Sequence, residues 1–352
     1  MKNGNISFED VNFISKKDFD FINKRSNVDS GDILFGMIGT IGNPVIVGEN
    51  SDFAIKNVAL IKELQVLKNS FLIHYLNSPI IEKQFHRIND GGTQKFIALG
   101  KIRNLIINIP TVNEQIKLSN FLENVDKKIE LLETKHQAYL DFKKYLMQQI
   151  FTQKLRFNEY CEEIELGNIV NYQNSKALEK YFNDSNGYEV ISIGNYTTDG
   201  NYIKNNVFIS KDVDEVQKYV LNRNDLAMVL NDKTQKGNII GRCILIDEND
   251  KYVYNQRTAR LTPKIEVNPY YLHQLINSPT IHKKIFALSQ GATQIYINKD
   301  DLLNIKLPIP NTEVQNEFGN LFSNVNKKIE LSSLRVNQMI LFKKSMLQQM
   351  FV

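Results

Sequence analysis

The sequence predicts an α/β (α+β) protein: two tandem mixed α/β domains separated by two long antiparallel coiled-coil helices, in a pseudo-two-fold arrangement. Three observations carry this prediction. The chain repeats itself at long period, it holds two long stretches with heptad spacing, and glycine-punctuated apolar clusters stand in matching places of each repeat.

The repeat comes first because it fixes everything else. Gly91-Gly92-Thr93-Gln94 returns as Gly291-Ala292-Thr293-Gln294, and Asn77-Ser78-Pro79 as Asn277-Ser278-Pro279. Ile109-Pro110 returns as Ile309-Pro310, Gln115 as Gln315, and Lys127-Lys128-Ile129-Glu130-Leu131 as the same five residues from Lys327. Gln148-Gln149-x-Phe151 has its copy at Gln348-Gln349-x-Phe351. Across residues 71–151 about a third of positions match their partner without a gap, and a period this long means a duplicated domain with its connector rather than a solenoid.

Each repeat ends in a predicted long helix. From Asn113 to Phe151 there is neither Gly nor Pro, and Thr111 or Asn113 can cap the start, with Glu114 in the first turn. Val125, Ile129, Leu132, Tyr139, Leu146 and Ile150 alternate spacings of four and three, with His136 and Lys143 at the two remaining seam positions. The second copy gives Val325, Ile329, Val336, Met339, Met346 and Met350, interrupted at Ser332 and Lys343. Seams this long and narrow predict a coiled coil in which the two helices pack against each other; the alternative is two amphipathic helices, each on its own domain.

The parts before the helices are β-rich. Residues 31–62 and 224–262 alternate apolar clusters with Gly, Asn and Pro, and short helices broken at Asn-Ser-Pro follow near 69–88 and 268–288. The repeats differ at their beginnings. The second has a segment from Ile164 to Asp199 with no counterpart in the first, so the first domain is expected to be truncated at its N-terminus. A truncated or recombined allele, an internally initiated product, or a domain completed by a partner strand all fit.

Bulk properties narrow the class. A chain of 352 residues with 42% hydrophobic content has room for two packed domains. It has no apolar run of membrane-spanning length and no secretory signal at Met1-Lys2-Asn3-Gly4-Asn5, so a soluble cytoplasmic protein without membrane partners is expected. Cys161 and Cys243 lack the spacing of a disulfide framework or zinc cluster. A net charge of +4 is compatible with nucleic acid but does not demand it.

The sequence argues against catalysis, cofactor and metal. It has no Gly-x-Gly-x-x-Gly in βαβ context and no phosphate-binding Gly-Lys-[Ser/Thr] loop. Asn77-Ser78-Pro79-Ile80 only superficially approaches an adenine-methylation tetrapeptide, and Glu133-Thr134-Lys135 lies inside the predicted coiled coil as a solvated helix face. The five histidines show no ligand spacing shared between copies. Recognition remains. Two similar heads on a spacer suit a ligand that repeats along a line, such as duplex DNA. A helix of about 40 residues is roughly 60 Å long, beyond one duplex turn of about 34–36 Å.

The duplicated pattern Gly-Asp-Ile-Leu … Gly-x-x-Gly, Asn-Ser-Pro, Gly-x-Thr-Gln, Ile-Pro … Gln … helix … Gln-Gln-x-Phe spans essentially the whole chain and resembles the specificity subunit of type I restriction–modification systems. The resemblance implies target-recognition domains at 1–110 and 153–310 and spacer helices at 111–152 and 311–352. It implies a non-catalytic subunit that reads a bipartite site on double-stranded DNA and docks adenine methyltransferase subunits, together with restriction and motor subunits.

Candidate DNA-binding residues are chosen by chemistry. In the second domain the loop 231–238 offers Asn231, Lys233, Thr234, Gln235 and Lys236, since Asn and Gln pair bidentately with adenine and Lys reaches guanine or phosphate. An ordinary solvated hairpin loop is the competing reading. Arg257 and Arg260 near a strand end are base or phosphate candidates, or salt-bridge partners. Thr293 and Gln294, with Thr93, Gln94 and Lys95 in the first domain, donate to phosphates or cap turns. Thr40 and Asn43 stand in the first domain's shorter, less basic loop. The repeated lysines at 127–128, 143–144, 327–328 and 343–344 face solvent, spacer phosphates or partner subunits, and Lys143 and Lys343 are positioned to set helix register. The competing function is a remnant that binds partner subunits through its helices but reads DNA with the second domain only, or not at all.

Overall fold

The structure is a computed structural model that describes residues 5–9, 11–38, 41–49, 52–88, 96–151 and 161–351. The chain divides into two compact units, Met1–His136 with Leu331–Val352, and Gln137–Glu330. The division cuts both long helices, so each unit holds the start of one and the end of the other.

Unit 1 runs α1 (Lys16–Ser26), β1 (Ile33–Gly36), β2 (Gly42–Ile46), β3 (Val58–Ile61), α2 (Asn69–Leu76), α3 (Pro79–Ile88), α4 (Leu99–Arg103) and the first part of α5 (Val112–Phe151). Its antiparallel sheet has the order β2–β1–β3. Ile33 and Phe35 of β1 and Ala59 of β3 pack with Phe71, Leu72, Tyr75 and Leu76 of α2 around one core.

Unit 2 begins in the last part of α5 and continues through β4 (Glu162–Glu165), α6 (Leu166–Ile169), β5 (Val170–Asn174), β6 (Phe182–Asn183), β7 (Tyr188–Ile191) and β8 (Phe208–Ile209). Then come β9 (Leu226–Val229), β10 (Asn231–Asp232), β11 (Cys243–Leu245), β12 (Tyr252–Tyr254) and β13 (Thr258–Pro263). It ends with α7 (Pro269–Ile276), α8 (Pro279–Leu288), β14 (Ile295–Tyr296), α9 (Lys299–Leu303), β15 (Lys306–Ile309) and the start of α10 (Thr312–Met350). The sheet β11–β9–β13–β5 repeats the unit 1 sheet with one strand added, and β12–β7–β8–β6 forms a second sheet over its own core. Of these additions, β5, β6 and β7 come from the segment that the first repeat lacks, and β8 and β12 come from beyond it. β4 pairs with β15 and β5 with β13. Among the described residues, β3 has no strand on its outer edge, and Ile109 is 50% exposed where its counterpart Ile309 is 7%.

The repeated motifs turn out to be joints. Ser278 caps α8 with Pro279 at its first turn, and buried Ser78 donates to the Tyr75 carbonyl at 2.6 Å, so Asn-Ser-Pro breaks one helix into two. Thr111 and Glu114 form a reciprocal cap, with Glu114 Oε2 accepting from Thr111 N at 3.0 Å and Thr111 Oγ1 from Glu114 N at 3.4 Å. The buried amide of Gln115 accepts from Lys68 N at 2.8 Å and donates to the Val66 and Pro110 carbonyls at 2.8 and 2.9 Å. Gln315 repeats this on Asn268 N and the Pro310 carbonyl, both at 2.8 Å. These amides tie each long helix to the loop entering α2 or α7.

Burial along the helices follows the heptads. Val125 and Leu146 are buried, and Ile129, Leu132, His136, Tyr139 and Lys143 are half-buried, while the residues between them are largely exposed. Val325 is buried, as is Ser332, and Ile329, Val336, Met339, Lys343 and Met346 are half-buried in the same rhythm. Within unit 1 the start of α5, at Leu118 and Leu122, shares a core with Met346, Leu347, Met350 and Phe351 from the end of α10. Within unit 2 the start of α10, at Phe318, Phe322 and Val325, shares a core with Leu146, Met147, Ile150 and Phe151 from the end of α5. In both units the end of one helix packs beside the start of the other, so the pair is antiparallel.

Candidate nucleic-acid interface

In unit 2 the chain leaves β9 at Val229 and makes a short pair with β14, Asn231 opposite Tyr296 and Asp232 opposite Ile295. Ile297 N donates to the Leu230 carbonyl at 3.1 Å, extending the join. This ladder places the 233–238 loop beside the Gly291–Gln294 turn, which lies some sixty residues further along the chain.

The loop is held by one buried carboxylate. Asp232 is 3% exposed; its Oδ1 accepts from Thr234 N and Oγ1, both at 2.9 Å, and its Oδ2 accepts from Ile239 N at 3.1 Å. That is an Asx turn closed at both ends. Gly237 is the second anchor. Its φ is +58°, and an added Cβ would lie 2.3 Å from Ile295 Cδ1 and 2.5 Å from the Phe286 ring, so the loop dips onto α8 there. Between the anchors Lys233, Thr234, Gln235 and Lys236 are exposed. Beneath the loop, burial and then Arg242 push the His282 imidazole down to about 4, leaving it neutral.

The neighbouring turn explains its motif. Gly291 has φ +110°, and a Cβ there would stand 2.1 Å from the Gln294 carbonyl oxygen, so only glycine closes the turn. Thr293 and Gln294 are exposed. Arg257 joins the same neighbourhood, because its carbonyl accepts from Leu230 N at 2.8 Å, one residue before Asn231. Arg260 does not. Its Nη1 donates to the Val220 carbonyl at 3.1 Å and lies 4.0 Å from Asp225 Oδ2, which engages the guanidinium inside the domain.

In unit 1, Asn43 is exposed at φ +46°, just after Gly42 at φ +94°. Thr40, Thr93, Gln94 and Lys95 lie outside the described residues. On the helices Lys127, Lys128, Lys144, Lys327, Lys328 and Lys344 are exposed. Lys143 and Lys343 are half-buried on the seam, and burial pushes the Lys143 ammonium down, with Asp199 opposing.

A family model of the type I restriction modification DNA specificity domain matches residues 2–139 and 158–341. The chain belongs to that family. It is similar to the specificity subunit of the type I restriction enzyme MjaVIII from Methanocaldococcus jannaschii, 25% identical over 95% of this chain and 81% of that protein. It is also similar to the EcoBI specificity subunit of Escherichia coli, 27% identical over 49% of this chain and 38% of that protein. A solved type I restriction–modification specificity subunit from M. genitalium shares the fold, with a TM-score of 0.60 and 15% identity over 94% of this chain and 85% of that one. A second structure, described as the basis of complex assembly and conformational transition of the type I system, matches at a TM-score of 0.60 and 16% identity over 92% and 82%.

As a specificity subunit this protein has a DNA-recognition role, and catalysis belongs to other subunits of such systems. No helix among the described residues is long and apolar enough to cross a membrane. Reading residues by base chemistry missed the parts of the specificity subunit that shape its loop. Asp232 carries a local signal, the Asp-x-Thr of an Asx turn. Gly237 and His282 carry none, because what makes them matter is the packing of α8 beneath.

Proposed function

We propose that this specificity subunit directs adenine methylation to a bipartite duplex site. Residues 1–110 and 153–310 act as the two readers, and 111–152 and 311–352 as the spacer. The observation that carries this is the loop of unit 2. Lys233, Gln235 and Lys236 stand exposed on a frame locked by Asp232 and Gly237, with Thr293 and Gln294 on the turn beside them. Preorganised amides and cations on one surface suit a groove, with lysines on phosphates and amides on base edges.

Docking of methyltransferase and restriction subunits is assigned to the outer faces of the long helices. Leu131 and Leu331 are 65% and 55% exposed, and Phe142 and Phe342 47% and 42%. Large apolar side chains repeated at the same positions of both helices, off the seam and in water, mark a surface covered in a complex. In this reading the subunit acts in the cytoplasm.

A second reading, in which only unit 2 reads DNA, is favoured by the outer edge of β3, which lacks among the described residues the strand that β5 supplies to β13. One experiment decides. The full chain is co-expressed with a cognate adenine methyltransferase subunit and N6-methyladenine is mapped across the host genome. A two-part motif with a fixed gap supports two readers. A one-part or symmetric motif supports unit 2 alone, and no motif despite a stable complex overturns the reading role.

A further inference from the structure

Arg257 occupies a backbone position that arginine does not choose. Its counterpart in the repeat is Asn57, and both lead into matching strands, β3 and β13, in the left-handed region, at φ +63° for Asn57 and +69° for Arg257. Asparagine enters that region at little cost, whereas a long side chain with an ordinary Cβ does so rarely. Unit 1 therefore shows which residue suits the backbone, and unit 2 carries another one in spite of it.

One donor of the side chain is also unsatisfied. Arg257 Nη1 is buried and has no hydrogen-bond partner among the described residues. A guanidinium keeps its charge at any ordinary pH, so a desolvated donor without an acceptor is a standing cost that a ligand can relieve. Nearby, Asn231 Oδ1 is likewise buried without a partner, one residue from the Leu230 amide that bonds the Arg257 carbonyl.

The surroundings discriminate between ligands. The two residues before Arg257 are held by a carboxylate, with Asn255 Nδ2 and Gln256 Nε2 donating to Glu179 Oε1 at 2.9 and 2.6 Å. The Glu179 carboxylate also couples electrostatically to Arg257, so it offsets the charge that would draw a phosphate and leaves the fork free to face a neutral pair of acceptors. The planar fork of arginine matches one such pair on DNA, the O6 and N7 of guanine in the major groove.

We propose that Arg257 is a specificity-determining residue that reads a guanine in the half-site bound by unit 2. The proposal rests on the DNA-reading role above and goes beyond it by naming the base. The test uses the complex of the full chain with an adenine methyltransferase subunit, comparing methylated motifs for the wild type, Arg257→Asn and Arg257→Lys. Arg257→Asn installs the residue that unit 1 tolerates in this backbone, so it should fold, and a thermal melt of the variant checks this.

The wild-type motif is expected to contain a G·C pair at which Arg257→Asn loses discrimination by about tenfold or more while every other position holds. Arg257→Lys should fail to restore it, because an ammonium keeps the charge without the fork. Three outcomes overturn the assignment while leaving the reading role intact: an unchanged motif in Arg257→Asn, methylation weakened uniformly at all sites, or discrimination restored by Arg257→Lys. A wild type that methylates no motif would instead remove the reading role, and this inference with it.

Discussion

Lys343 Nζ stands 2.5 Å from Asp126 Oδ1 on the helical seam of unit 1. The pair has no duplicate. In unit 2 the counterpart of Asp126 is Asn326, whose side-chain amide donates to the Tyr270 hydroxyl, and the counterpart of Lys343 is Lys143, which burial depresses. The two ends of the pseudo-symmetric helix pair are thus chemically distinct. Because the side chains remain 23% and 40% exposed, the ion pair is worth less than about 1 kcal/mol. A double-mutant cycle of Asp126→Asn and Lys343→Met should give a coupling of that size that shrinks at high salt. A salt-independent coupling of several kcal/mol would show a desolvated pair instead.

Phe351 lies within ring-contact distance of Phe71 (5.5 Å) and Tyr75 (5.0 Å), and Phe151 stacks on Phe322 at 5.9 Å beside Tyr271. The closing aromatic of each repeat therefore belongs to the core of the other repeat's head. Removing a buried phenylalanine costs about 3–5 kcal/mol. Phe151→Ala should loosen unit 2 and spare the unit 1 sheet, although Phe151 ends the helix that follows the first domain. Phe351→Ala should do the reverse. Amide exchange resolved along the chain checks this, and protection lost in the preceding domain of each variant would contradict the assignment.

Three histidines make stability fall in acid. Burial, then Lys343, holds His74 near 4, with Asp126 opposing. Burial, then Lys143, does the same for His273, and burial, then Arg242, for His282. Each is below the ordinary 6.5, so between about pH 6.5 and about pH 4 the unfolded chain binds protons that the folded chain refuses. Stability is full above that window and is lost as pH falls through it, by up to about 1.4 kcal/mol per pH unit for each histidine. Denaturant titrations at about pH 7 and about pH 5 should show the drop, and His74→Leu should reduce it while His273 and His282 keep the remainder. A chain more stable at the lower pH would refute the assignment.

The heptad seam was legible because its period is local. Positions 125, 129, 132, 139 and 146, and their copies, are buried or half-buried, and the polar occupants Lys143, Lys343 and Ser332 sit there too. The broken helices were legible at Asn-Ser-Pro for the same reason. Gln115 and Gln315 were visible as a repeat, yet nothing local shows that their amides clamp a loop some forty-seven residues away. The site was only partly legible. Loop 231–238 announced itself by composition, but its alignment with the 291–294 turn depends on the β10–β14 ladder, a long-range pairing. Arg257 and Arg260 look alike in sequence, and strand geometry sends one guanidinium to Val220 and Asp225 while leaving Nη1 of the other buried without a hydrogen-bond partner among the described residues.

The 233–236 loop separates affinity from specificity in a measurable way. Lys233 and Lys236 are exposed point charges on the loop, suited to phosphates, and each removed contact should lower the slope of log affinity against log salt by about one. Lys233→Ala and Lys236→Ala should therefore weaken binding of the methyltransferase complex to all duplexes alike. Asp232→Ala keeps both lysines but strips the acceptors from Thr234 N, Thr234 Oγ1 and Ile239 N. Its complex has to order the loop on binding, so affinity should fall by about tenfold with the salt slope unchanged. If Asp232→Ala instead reduced the slope as the lysine variants do, the loop would be holding charges in place rather than shape, and phosphate attraction alone would account for its role.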